Sequence, residues 1–251
     1  MIAPRRLAHV MGCLAMPLTG VLATPAQAQI APAATIEVSS DEARRGLSWT
    51  DGRAAASGEV QVSAGPVDAS ARIVTLRNST RHAGADAVVD LAVSTGWDLG
   101  AVRLRAEAAS HLFAGARGGM DYHELGASAG YGIGPLYATL GTMIAPSQAA
   151  IGGSNVYVYA AANAGIPGTP FTILTRLGRS SGSVDDPERA RRLRPDGTYV
   201  DWRLGIERRR DALTLGLDYI GTTIDQDRPA GRFADLEHSG DRLIGRVQLA
   251  F

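Results

Sequence analysis

The chain contains no lysine, so all 25 of its basic residues are arginines. That reads as coding bias rather than as function. The only cysteine, Cys13, lies in the N-terminal leader, and the rest of the chain can form neither a disulfide nor a cysteine-based metal site. Neither charge sign is in excess, with 25 basic and 25 acidic residues. Without a global basic field, nucleic acid is not an expected partner. Beyond residue 28 no apolar run reaches the ~18 residues of a spanning helix, which excludes a helical membrane protein. Aromatics are scarce, at 6%.

The first residues read as an address. Arg5 and Arg6 form a basic start, Leu7 to Leu22 is mostly apolar, and Ala26-Gln27-Ala28 is a small-x-small cleavage site. A secretory signal peptide over 1–28 is expected. Val10-Met11-Gly12-Cys13 resembles a lipoprotein box, but the apolar run before it is too short. Loss of Arg5 and Arg6 takes the formal charge from 0 to −2. The expected mature chain, 29–251, is long enough for one domain or one barrel.

What remains is a series of period-two segments. Leu243, Gly245, Val247, Leu249 and Phe251 alternate with Ile244, Arg246, Gln248 and Ala250. Val200, Trp202, Leu204 and Ile206 alternate with Asp201, Arg203, Gly205 and Glu207. Leu213 to Tyr219 and Val102 to Ala109 behave alike. A helix would scatter these apolar residues around its axis; a strand puts them on one face. Strands are predicted near 34–46, 53–64, 67–78, 86–97, 100–110, 121–132, 135–145, 155–165, 171–180, 198–209, 212–223 and 241–251. Short turns such as Gly65-Pro66 and Arg210-Asp211 alternate with longer loops such as 181–197 and 224–240. The expected fold is all-β: an antiparallel up-and-down transmembrane barrel of about 12 strands, with short periplasmic turns and longer extracellular loops.

A periplasmic sandwich or lipocalin-like barrel shows the same alternation with the apolar face inward. Three features favour the membrane barrel. The strand lengths and loop asymmetry fit it. Trp97, Tyr131, Phe171 and Phe251 fall at the expected periplasmic ends, as a thin aromatic girdle. Phe251 is in phase with the apolar face and reads as the closing-strand signal, addressed to the barrel-assembly machinery. The outer membrane, with its lipids, is the expected location.

Ser40-Asp41, Arg45-Gly46-Leu47-Ser48 and Thr50-Asp51-Gly52 together resemble the N-terminal signature of the TorF porin family, a bacterial group of poorly defined function. Tyr199-Val200-Asp201-Trp202-Arg203-Leu204-Gly205 resembles a second segment of that family, and Gly134-Pro135-Leu136 and Leu213 to Tyr219 fit its layout. Glu42 and Arg44 depart from it, standing where aromatics are usual. The resemblance implies an outer-membrane barrel and a pore function. It supplies no catalytic or ligand residues.

The predicted phases turn Asp41, Glu59, Arg72, Asp90, Arg105, Arg176, Arg203, Asp218 and Arg246 into the lumen. Glu59, Arg72, Asp90 and Arg105 alternate in sign on four successive strands; Arg203, Asp218, Arg246 and Asp41 do so across the closure. One reading is a mixed-charge constriction that selects small polar or ionic solutes. The other is a ladder of salt bridges filling a narrow lumen. A structural or adhesive barrel, binding through 181–197 and 224–240, is a further alternative. So is a hydrolase, which would need a nucleophile beside a base near the rim. Ser110 adjoins His111 and Glu124 adjoins His123, but strand neighbours face opposite ways. His82, His111, His123 and His238 therefore read as exposed loop histidines. They lack metal-ligand spacing, and neither a metal nor a cofactor is expected. Gly126, Gly130, Gly132 and Gly134 share a phase with Ser128 and point to lumen crowding or curvature. Arg189, Arg191, Arg192 and Arg194 read as a solvated run offset by Asp185, Asp186 and Glu188.

Overall fold

A computed structural model describes residues 31–229 and 231–251. The expected signal peptide, 1–28, lies outside them. Twelve strands close into one antiparallel barrel in sequence order. They are β1 (Ala31–Ser39), β4 (Ala55–Ala64), β5 (Val67–Ser79), β6 (Ala85–Leu99), β7 (Val102–Ala114), β8 (Tyr122–Ile133), β9 (Leu136–Gln148), β10 (Gly153–Gly165), β11 (Phe171–Ser181), β12 (Tyr199–Arg210), β13 (Leu213–Thr222) and β14 (Arg242–Ala250). Two further short strands, β2 (Ala43–Arg44) and β3 (Leu47–Ser48), pair only with each other. Closure joins β1 to β14 with Ile36 opposite Leu249 and Ser39 opposite Arg246.

Alternation decides the faces as expected. Ile36, Val60, Ile73, Leu91, Leu140, Val158, Leu177, Leu204, Leu217 and Leu243 are exposed on the outer surface. A continuous apolar belt of this size is far beyond what a soluble monomer shows, and it matches lipid. Trp97, Tyr131, Phe171 and Phe251 are exposed at the end carrying the tight turns. We call this the turn end and the opposite one the loop end.

Inside, the two halves differ in kind. Toward the turn end the inward register positions are small and polar, among them Gln61, Ser70, Ser94, Ser128 and Thr139. Glycines along the inward face make room for long neighbours. A Cβ on Gly178 would lie 2.1 Å from the Tyr157 hydroxyl, and one on Gly141 would lie 2.5 Å from the Tyr159 ring. The tyrosines lie flat across those strands instead of filling the lumen. Gly126 and Gly130 similarly accommodate Met143 and Tyr137. Gly178→Val is expected to displace Tyr157 and to cost about 1–3 kcal/mol through overpacking. The temperature at which the folded barrel loses its anomalous gel mobility should fall.

The loop end is packed like a soluble core. Trp49, Val74, Val88, Phe113, Met120, Tyr122, Ile151, Leu193 and Phe233 form one buried apolar cluster, and Leu47, Tyr199, Ile224 and Leu236 a second. Segments 182–198, 223–229 and 231–241 fold over the mouth as a lid. The first contains a short helix, α1 (Pro187–Ala190), capped by Asp186, whose side chain accepts from the amides of Glu188 and Arg189.

Three expectations are corrected here. The first strand stops at Ser39 instead of running to residue 46, because the chain then turns inward. Half of the arginine run is not solvated: Arg192 is fully buried and Arg194 nearly so, while Arg189 and Arg191 stay partly exposed beside Asp186 and Glu188. His82 is not an exposed loop histidine but is fully buried. In each case the apolar filling of the mouth supplied a burial that strand periodicity does not encode.

Candidate functional site in the barrel lumen

Residues 40–54 form an inner hairpin that crosses the lumen. Its turn is Arg45-Gly46, with φ of 51° and 75°, the positive pair that a two-residue hairpin turn requires. A second positive pair, Asp51-Gly52, returns the chain to the wall. Asp41 organises the base. Its carboxylate accepts from the Ser48 hydroxyl at 2.6 Å and from Arg242 Nε at 2.9 Å, with the Thr50 hydroxyl 2.8 Å away. At the tip, Gly46 packs against Asp201 and Thr222 so closely that a Cβ has no room. The Tyr199 hydroxyl donates to the Arg45 carbonyl at 3.0 Å. The two sequence segments singled out above, 40–52 and 199–205, thus meet as hairpin and receiving wall.

The hairpin is anchored by charge. Arg44 donates to both oxygens of Asp90 at 3.0 and 2.6 Å and to Glu42 at 2.9 Å, and its guanidinium lies 4.0 Å over Trp49. Arg45 reaches Glu124 at 2.6 Å on β8. Glu42 accepts two bonds from Arg72, at 2.8 and 3.0 Å. His111 completes the cluster, with Nδ1 2.7 Å from Asp90 and Nε2 3.5 Å from Glu124. Such pairs hold only because each carboxylate and guanidinium meets several partners.

The nine candidate charges distribute as follows. Arg203, Asp218 and Arg246 form one chain: Asp218 accepts from Arg203 at 2.8 and 2.9 Å and from Arg246 at 2.8 Å, and Arg246 also contacts Glu207. Arg72 and Asp90 are opposite in register, yet both are bound to the hairpin. Glu59 is opposite Arg72 but joins no ion pair among the described residues. Arg105 sits lower, 3.5 Å from Asp68 and from Glu107. Arg176 faces the Tyr159 ring at 5.2 Å. Asp41 requires correction: it belongs to the hairpin base, not to β1, and pairs with Arg242. On β1 the acid near Arg246 is Glu37, at 3.8 Å. Periodicity missed Glu37, Glu42, Arg44, Arg45, His111 and Glu124. The signals that could have found the hairpin were Glu42 and Arg44 in place of aromatics, and the two x-Gly turn pairs.

Two cavities flank the hairpin. One, of about 350 Å³, lies against Tyr157, Tyr159, Arg176 and Arg203; the other, of about 270 Å³, lies against Glu37, Arg72, Asp218 and Arg246. Above the hairpin, Arg81 ties the lid down, donating to the carbonyls of Ser48, Arg192 and Asp235 at 2.9, 2.8 and 2.8 Å. His82 stacks on Phe113 at 4.7 Å and packs against the tilted Trp49 ring at 4.3 Å, and its Nδ1 accepts from Arg192 Nε at 3.1 Å.

Burial, and then the nearby Arg192 and Arg81, hold the His82 pKa well below its ordinary value. The native state therefore keeps His82 neutral, while the opened lid binds a proton below pH ~6.5. The stability of the closed lid is fully present above that pH and declines as pH falls, at a limiting slope of about 1.4 kcal/mol per pH unit. Protection factors in 182–198, that is exchange corrected for the slower intrinsic rate at lower pH, should fall between pH 7 and pH 5, and His82→Asn should flatten this dependence.

Strand pairing splits the two Ser/His and Glu/His neighbours. His111 and Glu124 point inward, whereas Ser110 and His123 meet on the outer face, with the serine oxygen 2.9 Å from His123 Nδ1. No carboxylate lies within 4 Å of the His123 ring among the described residues, so nothing orients it as a base.

A closed 12-strand antiparallel barrel with an apolar belt and an inward-folded charged segment is a transmembrane-type β-barrel in architecture. The chain belongs to a bacterial family of unknown function, Gcw_chp, whose model matches residues 23–243. No curated protein matches it in sequence. Among solved structures it is similar to the KdgM porin, with a TM-score of 0.55 at 6% identity over 87% of this chain and 99% of that one. Salmonella typhi OmpF, solved in complex with daunomycin, gives a TM-score of 0.49 at 6% identity over 90% and 98%. At such identities the first likeness speaks for the fold alone.

Proposed function

We propose that this protein is an outer-membrane channel for passive passage of small polar or ionic solutes, with the inner hairpin as its constriction. The loop end faces the cell exterior and the turn end the periplasm. The observation that carries this reading is the pair of charged cavities flanking the hairpin, continuous in character with a polar turn-end half. A barrel built only as a scaffold has no need of a wetted, charge-lined interior, because burying charge is costly. The resemblance of 40–52 and 199–205 to the TorF porin signature points the same way. In the closed state described above, conduction requires the hairpin and lid to move.

Planar-bilayer recording tests this. The full chain should give infrequent openings, and a variant with residues 41–50 replaced by a short Gly-Ser link should conduct continuously and several-fold more. Arg105→Ala, below the constriction, should alter ion selectivity in the linked variant. Absence of current in every form sinks the channel reading. The apolar packing of the mouth favours a second reading, a permanently closed structural barrel. Liposome swelling in small sugars by the full-length protein would count against that one.

A further inference from the structure

We infer that the larger lumen cavity is a binding site for small organic anions carrying a carboxylate, with Arg176 as the group that recognises it. This deepens the solute-channel reading and rests on it for its purpose. Nearly every charge around that cavity is matched. Arg44 is held by Asp90 and Glu42, Arg45 by Glu124, Arg203 by Asp218, and Glu107 by Arg105. Asp201 also lines the cavity; it is buried, with one oxygen accepting from the Tyr157 hydroxyl at 3.1 Å and the other without a partner among the described residues. Arg176 has no carboxylate within 4 Å among the described residues, although it points inward and stays exposed.

Its placement is costly for the empty protein. Arg176 stands directly opposite Arg203 in the β11–β12 register, and like charges so paired repel. Arg203 spends Nε and Nη2 on Asp218, which neutralises it only in part. A carboxylate received by the Arg176 fork would relieve that repulsion. The planar guanidinium suits two-point binding of such a group, and the Tyr159 face holds it in orientation. The cavity, about 350 Å³, is large enough for a six-carbon acid. Water and solute reach it from the turn end, since the loop end is packed.

Gluconate and glucitol share a polyol chain and differ at the carboxylate, so they isolate this recognition. Titration calorimetry on the folded full chain in detergent should show saturable gluconate binding at least tenfold tighter than glucitol binding, weakening with added salt. Arg176→Gln should lower gluconate affinity at least tenfold while leaving the gel-mobility transition unchanged. Arg176→Lys, which keeps charge but loses the fork, should fall between and serves if the glutamine variant misfolds. Equal affinities for the two probes, or gluconate binding unmoved by both substitutions, would overturn the site. Current and binding fail separately: a barrel that binds gluconate without conducting keeps this site and loses the channel. One that conducts but does not distinguish the probes loses only the site.

Discussion

Arg44→Ala is expected to release the inner hairpin and to raise the open fraction of the barrel in bilayer recordings by ten- to a hundredfold. Arg44 alone joins Glu42 on the hairpin to Asp90 on β6, and it covers Trp49. Its removal leaves Asp90 with His111 and Glu42 with Arg72, and uncovers an apolar ring. Breaking a buried ion pair from one side costs about 3–5 kcal/mol. Here the side chains of Arg44 and Asp90 retain 19% and 18% exposure, so lumen water reduces the cost to about 2–3 kcal/mol. That is ample, because about 1.4 kcal/mol is tenfold in an equilibrium. Two-residue strands such as β2 and β3 have no stability of their own and depend on this docking. The barrel ladder is untouched, so the gel-mobility transition should barely move. Arg44→Lys should lie between, since ammonium cannot bridge Asp90 and Glu42 as a fork does. Wild-type gating in Arg44→Ala would show that the remaining anchors, Arg45 to Glu124, Glu42 to Arg72 and Asp41 to Arg242, hold the hairpin without it.

Arg192→Ala should have the largest effect on the lid. Arg192 donates to the carbonyls of Met120 and Ala150 and to His82, and its guanidinium lies 4.2 Å over the Phe113 ring. Burial draws its pKa down to about 10, which still leaves a cation at neutral pH. No carboxylate pairs with it among the described residues; carbonyl oxygens and aromatic faces take that role. Truncation strands three buried acceptors, the two carbonyls and His82 Nδ1, at about 1–3 kcal/mol each, and opens a cavity among Phe113, Tyr122 and His82. The segments 182–198, 223–229 and 231–241 should then exchange amide hydrogens at least a hundredfold faster and become sensitive to protease, while the strands stay protected. Arg191→Ala is the control: its side chain is 41% exposed and, among the described residues, pairs only with Glu188. Equal protection in Arg192→Ala and Arg191→Ala would mean that apolar packing, not the guanidinium, closes the mouth.

The barrel was legible in the sequence because a period of two has one geometric meaning. Leu243, Val247, Leu249 and Phe251 lie on the outer face as their phase demanded, and Arg246 faces in beside Asp218. The hairpin was not legible, because its residues continue the phase of the strand before it. Glu37, Ser39 and Asp41 alternate as one strand would, so the sequence pattern carried β1 onward through residue 46. The pairings of Ser39 with Arg246 and with Ala55, the last rungs of the β1–β14 and β1–β4 ladders, mark where the wall ends. His82 and Arg192, 110 positions apart, meet inside the lid. No local spacing encodes such a contact.

By itself the sequence determined the strand count of the barrel wall, the antiparallel order and which residues of a strand share a face. These follow from the two-residue repeat and from turn residues, which act within a few positions. The tertiary structure decided which charges meet. Arg72 and Asp90 stand opposite each other across β5 and β6, yet Glu42 and Arg44 claim them, because a hairpin folded into the lumen brings two more charges to the same rung. It also decided that the loop end is closed. Closure depends on apolar side chains from the hairpin, the wall and the lid filling one volume, and only three-dimensional packing brings them together.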